Sequence, residues 1–182
     1  MATGNRLNRS FRAFIQRQPM FFVATAARDG RVNLSPKGMD TLRIVDDKRI
    51  VWLNLSGSGN ETATHLLDIP RMTLMFCAFE GDAVILRVYG MAQVMHPRDN
   101  GWDDAVGQFP EIPGSRQIFD LSIDLVQTSC GTGVPLMQFV KPRADTELVP
   151  FYRDMGPEGV QAFWRKKNFV SIDGKPTGIF ED

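Results

Sequence analysis

Apolar positions along this chain recur with two different periods. Leu7, Phe11, Phe14 and Ile15 repeat at helical spacing and Pro19 ends the pattern, so residues 5–18 are expected to form an amphipathic helix. Strand-like runs follow. "MFFVATA" (20–26) and "RVNLSPKG" (31–38) flank "ARDG", where Asp29-Gly30 signals a hairpin because glycine accepts positive φ without steric cost. In the second arm Val32 and Leu34 alternate with Arg31, Asn33 and Ser35, which gives one apolar and one polar face. "LRIVD" (42–46), a "DDK" turn and "RIVWLNL" (49–55) predict a second hairpin. A short helix is expected over 61–67, stopping before Pro70.

"RMTLMFCAF" (71–79), the turn "EGD" (80–82) and "AVILRVYGMAQVM" (83–95) predict a third strand pair. Trp102, Ala105, Val106 and Phe109 are spaced for a helix within 97–109. "QIFDLSIDLVQTS" (117–129) reads as a long strand, with Ile118, Leu121, Ile123 and Leu125 among polar partners. From Pro150, "FYRDMGPEGVQAFWRKKN" reads as helical on either side of Gly156-Pro157, giving a C-terminal helical segment over 150–168. Antiparallel strands punctuated by frequent turns, with helices at the periphery, predict a mainly β chain. The expectation is a small six-stranded barrel forming one domain over 1–182.

Composition narrows the classes of function. With 182 residues, 43% hydrophobic and 23% charged, the chain is long and apolar enough to bury a core. Lys+Arg and Asp+Glu both number 21, so the basic excess of a nucleic-acid binder is missing. The longest apolar runs fall short of the roughly 20 residues that span a bilayer, so no membrane partner is expected. "MATGNRLNRSFRAFIQRQP" lacks the unbroken apolar core of a secretory signal. Cys77 and Cys130 stand far apart without a CxxC partner and read as reduced thiols of a cytoplasmic protein. Charge neutrality weakens self-repulsion and so favours a homo-oligomer.

Several chemistries find no motif. GxSxG, GxxxxGK[ST] and GxGxxG are all missing. His65 and His96 lie far apart without a cluster of further ligands at zinc or iron spacing. They read as a helix-surface and a strand-end residue, and no metal is expected. The stretch "LNLSGSGNETATHL" (53–66) has two readings. Ser58-x-x-Glu61 fits a capping box, with Asn60 as the competing cap. Alternatively Gly57 and Gly59 let backbone approach a ligand, and free amides at the helix start favour an anion. Lys37, fixed at the chain corner "SPKG" (35–38), would complete a phosphate site if it faced that helix, or else is a solvated edge-strand lysine.

"FFVATAARDGRVNLSPKG", "VWLNLSGSGNETATHLL", "PRMTLMFC" and "LRVYGMAQV" together resemble the pyridoxamine 5′-phosphate oxidase-like family of FMN-binding split β-barrels, over residues 20–95. "SCGTGVPLMQF" (129–139) and "KNFVSIDGKPTG" (167–178) resemble an uncharacterised branch of it. The resemblance implies a six-stranded split barrel that forms a homodimer with FMN at the interface. It implies Lys37 and the helix start Ser58, Gly59, Asn60 and Thr62 at the FMN phosphate, and Leu53 and Asn54 along the ring. Asn33 and Ser35 would reach the ribityl chain. Trp164 and the loop beginning Cys130-Gly131 would cover the ring from the partner, unless Trp164 packs the C-terminal helix. The implied activity is transfer of electrons from a reduced nicotinamide nucleotide to a small-molecule substrate. A flavin or haem carrier without turnover and an F420-dependent reductase are alternatives on the same fold. The Arg-x-His substrate pair of the vitamin B6 oxidases has no counterpart in "SIDGKPTGIFED", and Ile85 stands where they carry a glutamine. Vitamin B6 oxidation is therefore not expected.

Overall fold

In the computed structural model, which describes residues 3–180, the apolar runs pair into one antiparallel sheet of eight strands. The strands are β1 (Thr3–Gly4), β2 (Met20–Thr25), β3 (Asn33–Gly38), β4 (Leu42–Ile44), β5 (Arg49–Leu55), β6 (Arg71–Cys77), β7 (Val84–Met95) and β8 (Ser115–Cys130). The helices are α1 (Arg9–Arg17), α2 (Glu61–Asp68), α3 (Trp102–Val106) and α4 (Leu148–Lys167). The order across the sheet is β3-β2-β6-β7-β8-β5-β4, with β1 added beside β8. The three expected hairpins form, and β8 joins them by pairing with both β7 and β5. The count exceeds the six of the expected barrel because all seven runs read as strands, "LRIVD" included, pair into the sheet and β1, too short to show a period, joins them.

The sheet curls on itself around an aromatic core. Phe21 on β2 and Trp52 on β5 belong to strands separated by β6, β7 and β8, yet their rings lie 6.1 Å apart, edge to face. Trp52 stacks on Phe119 at 4.6 Å, and Phe21 on Phe76 at 5.7 Å. Each such ring contributes about 1.5–3 kcal/mol when fully buried, so these contacts dominate closure of the barrel. The result is the mainly β chain with peripheral helices that the pattern implies, in the split-barrel form that the family resemblance implies.

Local departures have identifiable causes. α1 starts later than expected because Asn8 caps it, its side chain accepting from Phe11 N at 2.8 Å. α3 is cut down to five residues, bounded by Gly101 in the left-handed region and by Gly107. α4 breaks at Gly156, φ 67°, as Gly156-Pro157 implies. His65 is not a surface residue: α2 is buried on most of its circumference, and His65 Nδ1 shares a 3.0 Å hydrogen bond with Thr25 Oγ1. His96 is buried as well, and among the described residues its Nδ1 has no partner. In the arm that becomes β3 the apolar side chains face outward, Val32 being 74% and Leu34 63% exposed, while the polar set turns inward. Among the described residues no helix is long and apolar enough to cross a membrane.

Two predictions follow from this packing. At the bulge between Tyr89 and Gly90, a Cβ on Gly90 would sit 1.9 Å from Ser122 O. Gly90→Ala should therefore cost about 3 kcal/mol or more in urea unfolding. Burial, with the Arg98 charge second, pushes His96 down from 6.5 to about 4. Neutral His96 thus contributes stability in full above about pH 6.5, and the contribution, up to about 3 kcal/mol, is lost as pH falls from there through 4. Unfolding at about pH 7.5 and about pH 5 should show wild type weakening more than His96→Gln.

Candidate functional site

Among the described residues β3 makes no ladder with β4 or β5, and this gap is where the barrel is split. Lys37 spans it. Its alternation with Asn33 and Ser35 puts it on the inward side of β3, and Nζ lies 3.2 Å from Asn54 Oδ1 on β5. Nζ also lies 5.3 Å from the Trp52 ring centroid. Asn54 is oriented from behind, donating through Nδ2 to Gln117 Oε1 at 3.3 Å. Asn33 Nδ2 donates to Thr62 Oγ1 at 3.2 Å and ties β3 to α2. The chain leaves β3 through Met39, whose φ of 64° is strained for a side-chain-bearing residue. Thr41 then turns it back, its hydroxyl donating to Gly38 O and its carbonyl accepting from Leu53 N, both at 2.8 Å.

The polar loop before α2 forms the opposite wall. Of the two cap readings, the capping box between Ser58 and Glu61 does not form. Both Glu61 carboxylate oxygens accept instead from Ile172 N, at 3.0 and 3.2 Å. Asn60 occupies the cap position, but its side chain makes no cap bond. It is 2% exposed, and among the described residues both Nδ2 and Oδ1 lack partners. The loop is fixed from outside. Ser56 Oγ donates to Gly114 O at 2.7 Å and receives Trp164 Nε1 at 2.6 Å. Asn168 Nδ2 donates to Gly57 O at 2.9 Å, and Arg116 Nη1 to Gly59 O at 3.1 Å.

Between these walls lies a cavity of about 730 Å³, within the range of small-molecule sites. Asn33, Ser35, Lys37, Leu53, Asn54, Ser58, Gly59, Asn60 and Thr62 all line it. Trp164 stands behind the loop, packed in its own chain with Tyr152 and Val160. Cys130 lies elsewhere, beside a second groove lined by Phe14, Met137 and Phe139. Its bond to Thr132 holds that exposed thiol below the usual range. Gly131 has a packing reason for its identity, since a Cβ there would come within 2.9 Å of the Ala83–Val84 backbone.

The cavity also contains a residue that sequence reasoning missed. Arg116, at the start of β8, lines it while only 3% exposed, and among the described residues its Nε has no partner. Strand phase could not have found it: the ladder pairs Asn54 with Gln117 but Leu55 with Ser115, which leaves Arg116 as the extra residue of an irregularity where alternation from Ile118 no longer holds. Burial lowers Arg116 to about 10, which leaves it charged at neutral pH. Burial first, and Arg116 second, lower Lys37 from 10.5 to about 8. Among the described residues neither cation has a carboxylate partner. A buried and a half-buried cation, neither neutralised, beside an unpaired amide are costly unless an anion with several acceptor oxygens completes them. Among the described residues no group of three or more His, Cys, Asp or Glu is placed to hold a metal ion.

Comparison with known proteins agrees with this architecture. Residues 7–130 match the family described as pyridoxamine 5′-phosphate oxidase. The pyridoxamine 5′-phosphate oxidase family protein ustO of Aspergillus flavus is 34% identical over 152 residues, which cover 80% of this chain and 61% of that protein. The chain thus spans about three fifths of the length of this curated relative. A solved structure from Lactobacillus delbrueckii, provisionally named a pyridoxamine 5′-phosphate oxidase, superposes with a TM-score of 0.55 at 18% identity, covering 70% of this chain and 99% of its own. HupZ of Group A Streptococcus gives 0.52 at 16% identity, over 72% and 99%. At such identities the two structures speak for the fold alone. With more than half of its length matched and a relative of this similarity, the chain belongs to the pyridoxamine 5′-phosphate oxidase family.

Proposed function

We propose that this chain is an FMN-binding flavoprotein oxidoreductase, one flavin-binding domain that works as a homodimer. The observation that carries the reading is the half-buried Lys37 ammonium sharing one cavity with the buried Asn60 side chain; among the described residues the first has no carboxylate partner and the second no hydrogen-bond partner. That donor set suits a phosphate monoester. Lys37 and the turn of Ser58, Gly59, Asn60 and Thr62 hold the phosphate, with α2's amide end adding its positive pole. Asn33 and Ser35 face the ribityl chain, and Leu53 and Asn54 lie along the ring. Trp164 acts within its own chain by positioning Ser56. Cys130 and Gly131 belong to the ring cover contributed by the partner.

Bound FMN supplies a ring that accepts a hydride from a reduced nicotinamide nucleotide and passes electrons to a small acceptor. The chain's own residues bind, orient and shield. An acid–base or nucleophilic constellation is not required of them, which fits the lack of any such motif. The haem alternative finds no support here, since His65 and His96 are both buried and neither lines the cavity. The formal net charge of +0 fits a small-molecule partner.

The purified protein should carry a flavin absorbance band, bleached by NADH or NADPH under anaerobic conditions, and should sediment as a dimer. Colourless material that takes up no FMN at micromolar concentration would refute the reading, as would release of F420 or haem from the denatured protein. Lys37→Ala should weaken FMN binding by about tenfold or more in a fluorescence titration. Because only the protonated amine attracts the phosphate and free Lys37 titrates at about 8, wild-type affinity should fall as pH rises through 8. The Lys37→Ala profile should stay flat across that interval.

A further inference from the structure

Arg116 has no assigned role, and its surroundings ask for one. Its guanidinium carries five N–H donors and is buried at the mouth of β8, on the strand adjacent to β5. Among the described residues it makes a single hydrogen bond, from Nη1 to Gly59 O, while Nε is buried without a partner. A buried guanidinium is ordinarily matched to a carboxylate, and among the described residues none pairs with this one. The same cavity wall holds Asn60, whose two side-chain polar atoms are also unpartnered. Lys37 closes the opposite side and feels the Arg116 charge. Gly59, which Arg116 anchors, has open space apart from the Glu61 side chain, so the loop backbone can approach a ligand closely.

From this geometry we infer that Arg116 is the second cation of the phosphate seat, gripping phosphate oxygens from β8 while Lys37 grips them from β3, and that it selects a phosphorylated ligand over its dephosphorylated counterpart. The inference rests on the flavin reading for the ligand's identity, but the two can fail separately. Two fixed cations flanking one anion match a doubly charged monoester better than a neutral alcohol. A guanidinium supplies paired donors to a phosphate where an ammonium supplies a point charge. The bond to Gly59 O holds the guanidinium in place before any ligand arrives, so little side-chain entropy remains to be lost on binding.

The test measures FMN and riboflavin affinities by flavin fluorescence quenching for wild type, Arg116→Gln and Arg116→Lys, with thermal melting of each apoprotein as a control for folding. Wild type should prefer FMN strongly. Arg116→Gln should lose about tenfold or more in FMN affinity with riboflavin affinity unchanged. Arg116→Lys, which keeps charge without the fork, should recover part of the loss. Equal weakening of both ligands would reduce Arg116 to a support of the loop and overturn the inference. An FMN preference that survives in Arg116→Gln would overturn it too, while leaving the flavin reading standing. If wild type binds neither flavin, inorganic phosphate decides. A rise in melting temperature on adding phosphate that Arg116→Gln abolishes sustains the role of Arg116 and refutes the flavin reading. No phosphate effect in wild type refutes both.

Discussion

A lysine ammonium held in the gap of an unclosed barrel is the constraint around which the rest of this structure is arranged. Lys37 cannot reach Asn54 unless β3 presents its polar residues inward, and that turns Val32 and Leu34 to the outside. The arm therefore breaks the usual rule that the apolar face of an edge strand packs on the core. The cost of exposing two apolar side chains and half-burying a cation is carried by the aromatic interior, where Phe21, Trp52, Phe76 and Phe119 form one connected set. A stable frame that tolerates locally unfavourable placement is what a binding site requires.

Much of the frame was legible in the sequence, because strand alternation and turn residues act locally. Asp29-Gly30 foretold the first hairpin, and Gly30 indeed takes a φ of 93°. The corner at "SPKG" correctly suggested a fixed lysine, yet alternation alone could not say which face of β3 looks inward, since that is decided by what lies across the gap. The same limit explains the histidine. α2 is short and carries polar residues nearly all round, so its periodicity gave no hint that Thr25 on a distant strand would bury His65.

The failures at the site share one cause. A capping box was a sound local reading of Ser58 and Glu61, but the Ile172 amide, 111 residues from Glu61, competes for the carboxylate and wins. Arg116 was passed over because a single arginine before an apolar alternation resembles an ordinary strand boundary. Only the fold brings it beside Gly59, 57 residues away. Local propensity thus decided the elements, and long-range contacts decided the chemistry.

The bonds that shape the polar loop come from late in the chain: Trp164 reaches Ser56 across 108 residues, and Asn168 reaches Gly57 across 111. Both lie beyond residue 130, where the family match ends. A growing polypeptide can therefore assemble most of the barrel before the residues that brace this loop have left the ribosome. A tail left undocked would leave the frame intact and the polar loop slack.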